Sequence, residues 1–298
     1  MRITPATELT RRIHSLQALM QAEGLDGMLM MQNADLFYFT GSIQQGLLYV
    51  PVSGEALYLV RKDYTRARME CGLKEVHPLK SPKDLPGRLS DFGYPLPQKV
   101  GMELDVLPVV HFQRMQKILG DCVVVDGTPL IRTVRAVKSK YEIEIMKDAA
   151  LMVDKVYQRA KEVIRVGMTD LELAAELEFT ARKLGHQGIT RMRGFNSELF
   201  FGHIFSGADS AAPAYLDAPL GGLGVNPSVG QGASYKRIER HEPITVDFAG
   251  AFDGYLVDQT RMLCIGGLPD ELMKAYDDMM AIQVRLKQIA RPGAVWGE

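Results

Sequence analysis

Nothing restricts the fold of this chain more tightly than the stretch 246–266, VDFAGAFDGYLVDQTRMLCIG. Two apolar-rich runs flank Asp253-Gly254, the dipeptide best able to supply the positive φ angles of a type I′ turn, so the stretch reads as a β-hairpin. With those two residues in the turn, Phe252 faces Tyr255, Ala249 faces Asp258, and Asp247 faces Thr260. Side chains alternate along a strand, which sends Asp247, Ala249, Asp258 and Thr260 to one face. The two carboxylates are then diagonal neighbours with Cα atoms roughly 7–8 Å apart. Carboxylates projecting from rigid strands suit a hard divalent cation, or two of them about 3.5–4 Å apart, because the scaffold pre-orients groups that otherwise repel. The same pattern also describes the solvated face of an edge hairpin. A loop longer or shorter by one residue would put the carboxylates on opposite faces, so the metal reading depends on the register.

The segment Val246-Asp247-Phe248, then Gly254-Tyr255, then Asp258-Gln259-Thr260-Arg261, resembles the double-aspartate segment of the pita-bread metallopeptidases, the family of aminopeptidase P, prolidase, methionine aminopeptidase and creatinase. Further stretches resemble the two-domain, creatinase-like branch in the same order along the chain: Gly24-Leu25-Asp26-Gly27 with Tyr38-Phe39-Thr40-Gly41, then RTVRAVKSKYEIEIM from Arg132 to Met146, then GMTDLELAAELE from Gly167 to Glu178. The resemblance implies a creatinase-like α/β N-terminal domain over 1–130. It implies an α+β pita-bread domain over 131–298, with a curved antiparallel sheet incomplete in this chain. It implies Asp247 and Asp258 as metal ligands, two divalent ions (Mn, Co or Zn) and a peptide substrate of the Xaa-Pro class. It also implies a homodimer, with an aromatic pair in 33–40 near the neighbouring subunit.

Composition agrees with a soluble enzyme. The chain has 298 residues, long for one core and suited to two domains, with 46% hydrophobic and 24% charged residues. A net charge of −1 gives no field to attract nucleic acid or anionic membrane, so neither is an expected partner. Cys71, Cys122 and Cys264 are too scattered for a zinc knuckle or a disulfide frame and read as thiols in a reducing compartment. The start has no signal-peptide core and no run reaches the length of a membrane span, so a cytoplasmic location is expected.

In order, Thr7–Ala22 carries Leu9, Ile13, Leu16 and Met20 at helical spacing, and Gly24 ends it. Strands are expected at 27–31, 47–52, 56–60, 75–79, 99–102 and 122–125, with helices at 64–71 and 109–119; such alternation argues an α/β layer domain. The basic run Arg132, Arg135, Lys138, Lys140 reads as a solvated connector, and 127–137 as the domain junction. Ser139 with Glu142, and Thr169 with Glu172, are capping boxes that open two amphipathic helices able to cover one face of a sheet. His14, His77 and His111 are isolated and read as ordinary surface or core residues.

Beyond those helices the chain departs from the family pattern. Prolidase-like members carry a His after a Pro that follows Ser-Gly; here Ser206-Gly207 is followed by Pro213-Ala214. His203 lies nearby on the other side of Ser206-Gly207 and is the candidate catalytic residue that would compensate, provided it reaches the substrate. His241 reads as part of the turn entering the first Asp strand. The glycine-rich run over 220–231 lacks phosphate-loop spacing and reads as a mobile loop over the pocket. After an expected helix over 270–289, Glu298 is the one acidic residue left, whereas the resemblance implies a His and two Glu ligands further on. The expectation is therefore a fragment that binds metal weakly and hydrolyses nothing alone, its parent being a metal-dependent Xaa-Pro aminopeptidase or dipeptidase. The rival is a non-catalytic pita-bread module that binds a peptide or protein. Retention of two like charges side by side argues against it.

Overall fold

The computed structural model describes every residue except 1, 195, 216–219, 296 and 298, so Glu298 lies outside the described residues. The chain forms two compact units, one of Met1–Ile145 with Arg191–Glu198, the other of Met146–Thr190 with Leu199–Glu298.

In the first unit, the strands β1 (Gly27–Met30), β2 (Gly46–Pro51), β3 (Leu57–Val60), β4 (Glu75–Pro78), β5 (Lys99–Met102) and β6 (Val123–Asp126) form one mixed sheet in the order β4-β3-β2-β1-β5-β6. Their residues are apolar on both faces, as a sheet covered on both sides requires. Met28, Met30, Leu48, Val50, Tyr58 and Val60 join one core. That core includes Ile13, Leu16 and Met20 of α1 (Ala6–Ala22) and Ile131 and Val134 of α6 (Thr128–Ala136). The alternate residues Leu29, Leu47, Tyr49, Leu57 and Leu59 enter a second core. There they meet Leu85 and Leu89 of α4 (Leu85–Asp91) and Met115 and Leu119 of α5 (Val109–Leu119). The helices α2 (Asn33–Thr40) and α3 (Tyr64–Glu70) complete the unit.

Two expectations change here. The stretch 127–137 is not an open connector: Pro129 enters the first turn of α6, where its missing N–H is harmless, and Ile131 and Val134 fasten the helix to the first core. Its arginines are paired, not merely solvated. Arg135 donates to Asp35 at 2.7 Å and Arg132 to Asp105 at 3.0 Å. The same two carboxylates receive Arg193, which binds Asp35 at 2.6 Å and Asp105 at 2.6 and 2.9 Å. In α2 the aromatic residues Tyr38 and Phe39 pack inside the unit. Tyr38 is 5% and Phe39 0% exposed, with the Arg12 guanidinium over the Tyr38 ring at 4.1 Å.

In the second unit, α7 (Lys140–Val163), whose first turn belongs to the first unit, and α8 (Asp170–Lys183) start as expected. The backbone N–H of Ser139 donates to Glu142 and that of Glu142 to Ser139 Oγ, while Thr169 and Glu172 close the second box. The antiparallel sheet has the order β7 (Gly202–Ser206), β8 (Ile244–Phe252), β9 (Tyr255–Leu263). Ile244, Val246 and Phe248 share a core with Val153 and Val156 of α7 and Leu173 and Leu177 of α8. Removing Val246 and Phe248 from water contributes about 2 kcal/mol each. At Gly250 the helix and strand nearly touch: a Cβ there would stand 2.4 Å from Val153 Cγ2 and 3.2 Å from the Ala149 carbonyl oxygen. The helix α9 (Asp270–Ile289) has no buried residue.

Candidate metal centre

The hairpin forms in the expected register. Asp253 and Gly254 take φ angles of 46° and 82°, the two positive values of a type I′ turn. Phe252 pairs with Tyr255, Ala249 with Asp258, and Asp247 with Thr260. Because Val246 and Phe248 point to the helices, alternation turns Asp247 the other way, and Asp258 follows it across the ladder.

Thr260 Oγ1 donates to Asp247 Oδ1 at 2.6 Å, which fixes one carboxylate from the neighbouring strand. Asp258 is exposed as a residue, yet its carboxyl is raised above the usual range, first by lost hydration and then by the Asp247 carboxylate beside it. Two carboxylates that resist being charged together gain most from a cation between them.

His203 stands opposite Asp247 across the β7–β8 ladder and is 4% exposed. Its Nε2 is buried with no hydrogen-bond partner among the described residues. Among the described residues no group of three or more His, Cys, Asp or Glu side chains converges to hold a metal ion. The face thus offers a carboxylate pair and, opposite Asp247 on the neighbouring strand, one imidazole. In charge and ligand type the pair fits a hard divalent cation, supplying two of the six or more oxygens such an ion takes.

The glycine-rich run carries backbone hydrogen bonds of its own. Gly221 N–H donates to Ala212 O, Gly232 N–H to Gly221 O, and Gly224 N–H to Gly232 O, so the run is hydrogen-bonded onto itself. A Cβ on Gly232 would lie 3.7 Å from the His203 ring, and one on Gly221 would lie 2.6 Å from Ala214 Cα. Gly232, just after the run, therefore lies against the His203 ring, and Gly221 packs against Ala214, the position where the resemblance implies a His.

Two supports have no local signal in the sequence. His186 is 2% exposed; its Nδ1 accepts from Gly188 N–H and its Nε2 donates to Ala249 O, each at 2.9 Å. Burial lowers its pKa, so it is a neutral clasp on the residue paired with Asp258. Lys236 Nζ donates to Ser206 Oγ at 3.1 Å and to both Glu242 oxygens at 2.7 and 2.8 Å, tying the end of β7 to the turn before β8. Partners six to sixty-three residues apart leave no periodicity to read. His241 takes a φ of 66° and its ring bonds Gly267 O, a turn residue as expected.

The model of the creatinase/prolidase N-terminal domain matches residues 12–137, and that of metallopeptidase family M24 matches residues 144–298. The chain is 26% identical to the Xaa-Pro dipeptidase of Pyrococcus furiosus over 295 residues, covering 96% of this chain and 73% of that protein. It is 25% identical to the uncharacterized peptidase YqhT of Bacillus subtilis, covering 95% and 73%. Its fold superimposes on the Xaa-Pro dipeptidase of Bacillus anthracis with a TM-score of 0.76 at 23% identity, over 93% of this chain and 71% of that one. For the X-Pro aminopeptidase of Thermotoga maritima the TM-score is 0.73 at 26% identity, over 89% and 70%.

Proposed function

Because this chain belongs to metallopeptidase family M24, we propose that Asp247 and Asp258 hold divalent metal in a hydrolase whose substrates are peptides of the Xaa-Pro class. The single observation that supports this reading is the hairpin register, which sets both carboxylates on the face turned away from the helices. Family membership implies divalent metal ions; their chemistry, when bound, is Lewis-acid polarisation of a peptide carbonyl. The chain's own residues have distinct parts. Asp247, held by Thr260, and Asp258 neutralise and orient the cation, with the remaining oxygens drawn from water or other groups. His203 Nε2, buried and unpartnered, is the atom proposed to hold a proton and deliver it to the proline nitrogen as the Xaa-Pro bond breaks. Gly232 lies against that ring, which is 4% exposed.

Titration calorimetry with Mn²⁺ tests the ligand assignment. Weak binding, with a Kd on the order of 10⁻⁴ M, is expected for a site resting on two carboxylates. It should be lost in Asp247→Asn and in Asp258→Asn; binding that survives both substitutions refutes the assignment. Submicromolar binding would show that other residues complete the site. The substrate class is tested by titrating Leu-Pro and Leu-Leu into the protein with Mn²⁺ present, tighter binding of the first being the supporting result. The rival reading of a non-catalytic module is not favoured, since the relatives bear peptidase and dipeptidase names. Manganese as the ion, a homodimeric assembly and a cytoplasmic location belong to the same proposal. The assembly is checked by light scattering of the purified protein.

A further inference from the structure

A hollow of about 490 Å³ opens on the helix side of the second unit, away from the double-aspartate face. Glu178, Phe179 and Arg182 of α8 form one wall, Gly188 and Phe201 the other. This volume falls within the range of roughly 300–1,000 Å³ usual for small-molecule sites.

The polar groups of the hollow are arranged in an unusual way. Glu178 is half-buried and has no hydrogen-bond or ion partner among the described residues, and loss of hydration alone raises its carboxyl. Its neighbour one turn on, Arg182, has the spacing of a helical ion pair. Instead Arg182 turns away: Nη1 donates to His186 O at 2.6 Å. The guanidinium occupies the space beside Gly188, where a Cβ would lie 2.5 Å from Nη1. His186 is itself pinned by Gly188 N–H and Ala249 O and stacks on Phe201 with ring centroids 4.5 Å apart. A packed scaffold therefore holds the cation off the carboxylate, and both charges line the same hollow between two phenyl rings. Lys183 stands over the outer ring, 5.3 Å from the centre of Phe179.

We propose that this hollow binds a free α-amino acid with an apolar side chain, its ammonium on Glu178, its carboxylate on Arg182 and its side chain against Phe179 and Phe201. A half-buried carboxylate without a partner is costly, and an incoming ammonium relieves that cost. A purely cationic ligand meets Arg182 and Lys183, and a purely anionic one meets Glu178. A neutral apolar ligand leaves both charges unpaired. Only a zwitterion answers both signs. An apolar amino acid is also a product of dipeptide cleavage, so the site would sense product; that link rests on the proposed function, whereas the binding site does not.

Calorimetric titration of the whole chain with L-leucine, N-acetyl-L-leucine and L-leucinamide tests the assignment. Saturable binding of L-leucine is expected, weakened roughly tenfold or more for each of the two blocked ligands and in Glu178→Gln. It should persist in the Asp247→Asn/Asp258→Asn double variant. That double variant separates the two proposals, since loss of binding there with retention in Glu178→Gln would assign the amino acid to the double-aspartate face and overturn the inference. Equal affinity for the blocked ligands, or no saturable binding of L-leucine, would overturn it as well. The blocked-ligand series uses unsubstituted protein, so it decides even if Glu178→Gln fails to fold.

Discussion

Glu103 shows how far a single residue can be moved by its surroundings. It is fully buried at the end of β5 and accepts from the backbone N–H groups of Met31 and Gln32, with Asp35 beside it. Burial first, and the Asp35 carboxylate second, push its pKa up to about 8, from an ordinary value of 4.5. The folded protein keeps a proton that unfolded Glu103 releases above pH 4.5, so stability falls as pH rises from there and levels off above about 8. Denaturant unfolding at pH 5 and pH 8 should show a decline on the order of 2 kcal/mol. Glu103→Gln, which keeps an acceptor for the two N–H groups but cannot ionise, should flatten it; an unchanged slope in that variant would assign the decline elsewhere. Asp258 is raised in the same direction by lost hydration and by Asp247, but there the strain lies on a face that a cation can reach.

Between elements, the decisive contact is the one between α7 and β8. The strand meets the helix at Gly250, where there is no room for a methyl group beside Val153, Val257 and the Ala149 carbonyl. Gly250→Ala should therefore lift the strand from the helix and cost on the order of 2 kcal/mol by overpacking, read as a lower denaturation midpoint. A midpoint equal to that of the parent would mean that the helix yields without cost. Because β8 carries Asp247 and pairs with the strand carrying Asp258, the same displacement should weaken Mn²⁺ binding although Gly250 touches neither carboxylate. The helices were legible beforehand, since their capping boxes are four-residue signals. Gly250 was not, because its partner on α7 lies about a hundred residues away and nothing in the strand pattern marks it.

For the molecule as a whole, the notable feature is that the chain re-enters the first unit at Arg191–Glu198. Arg193 holds that segment through Asp35, which is fully buried, and through Asp105. Replacing Arg193 by Met leaves Asp35 with Arg135 and Asp105 with Arg132. The expected loss is about 2 kcal/mol, with faster protease nicking within 191–198, since the buried Asp35 then faces one cation instead of two. Unchanged unfolding and unchanged nicking would show that the segment is held by other means.

The amino-acid sequence by itself determined the hairpin, its register, the two capped helices and the α/β alternation of the first unit. Each of these is written in neighbours two to four residues apart, where turn chemistry and side-chain periodicity act. Tertiary structure alone decided which polar groups lost their water and which partners they found. It paired Arg135 and Arg193 with Asp35, clasped Ala249 with His186, laid Gly232 against His203, and left Glu178 alone in its hollow. Burial and long-range pairing depend on groups far apart along the chain, and no local pattern records them.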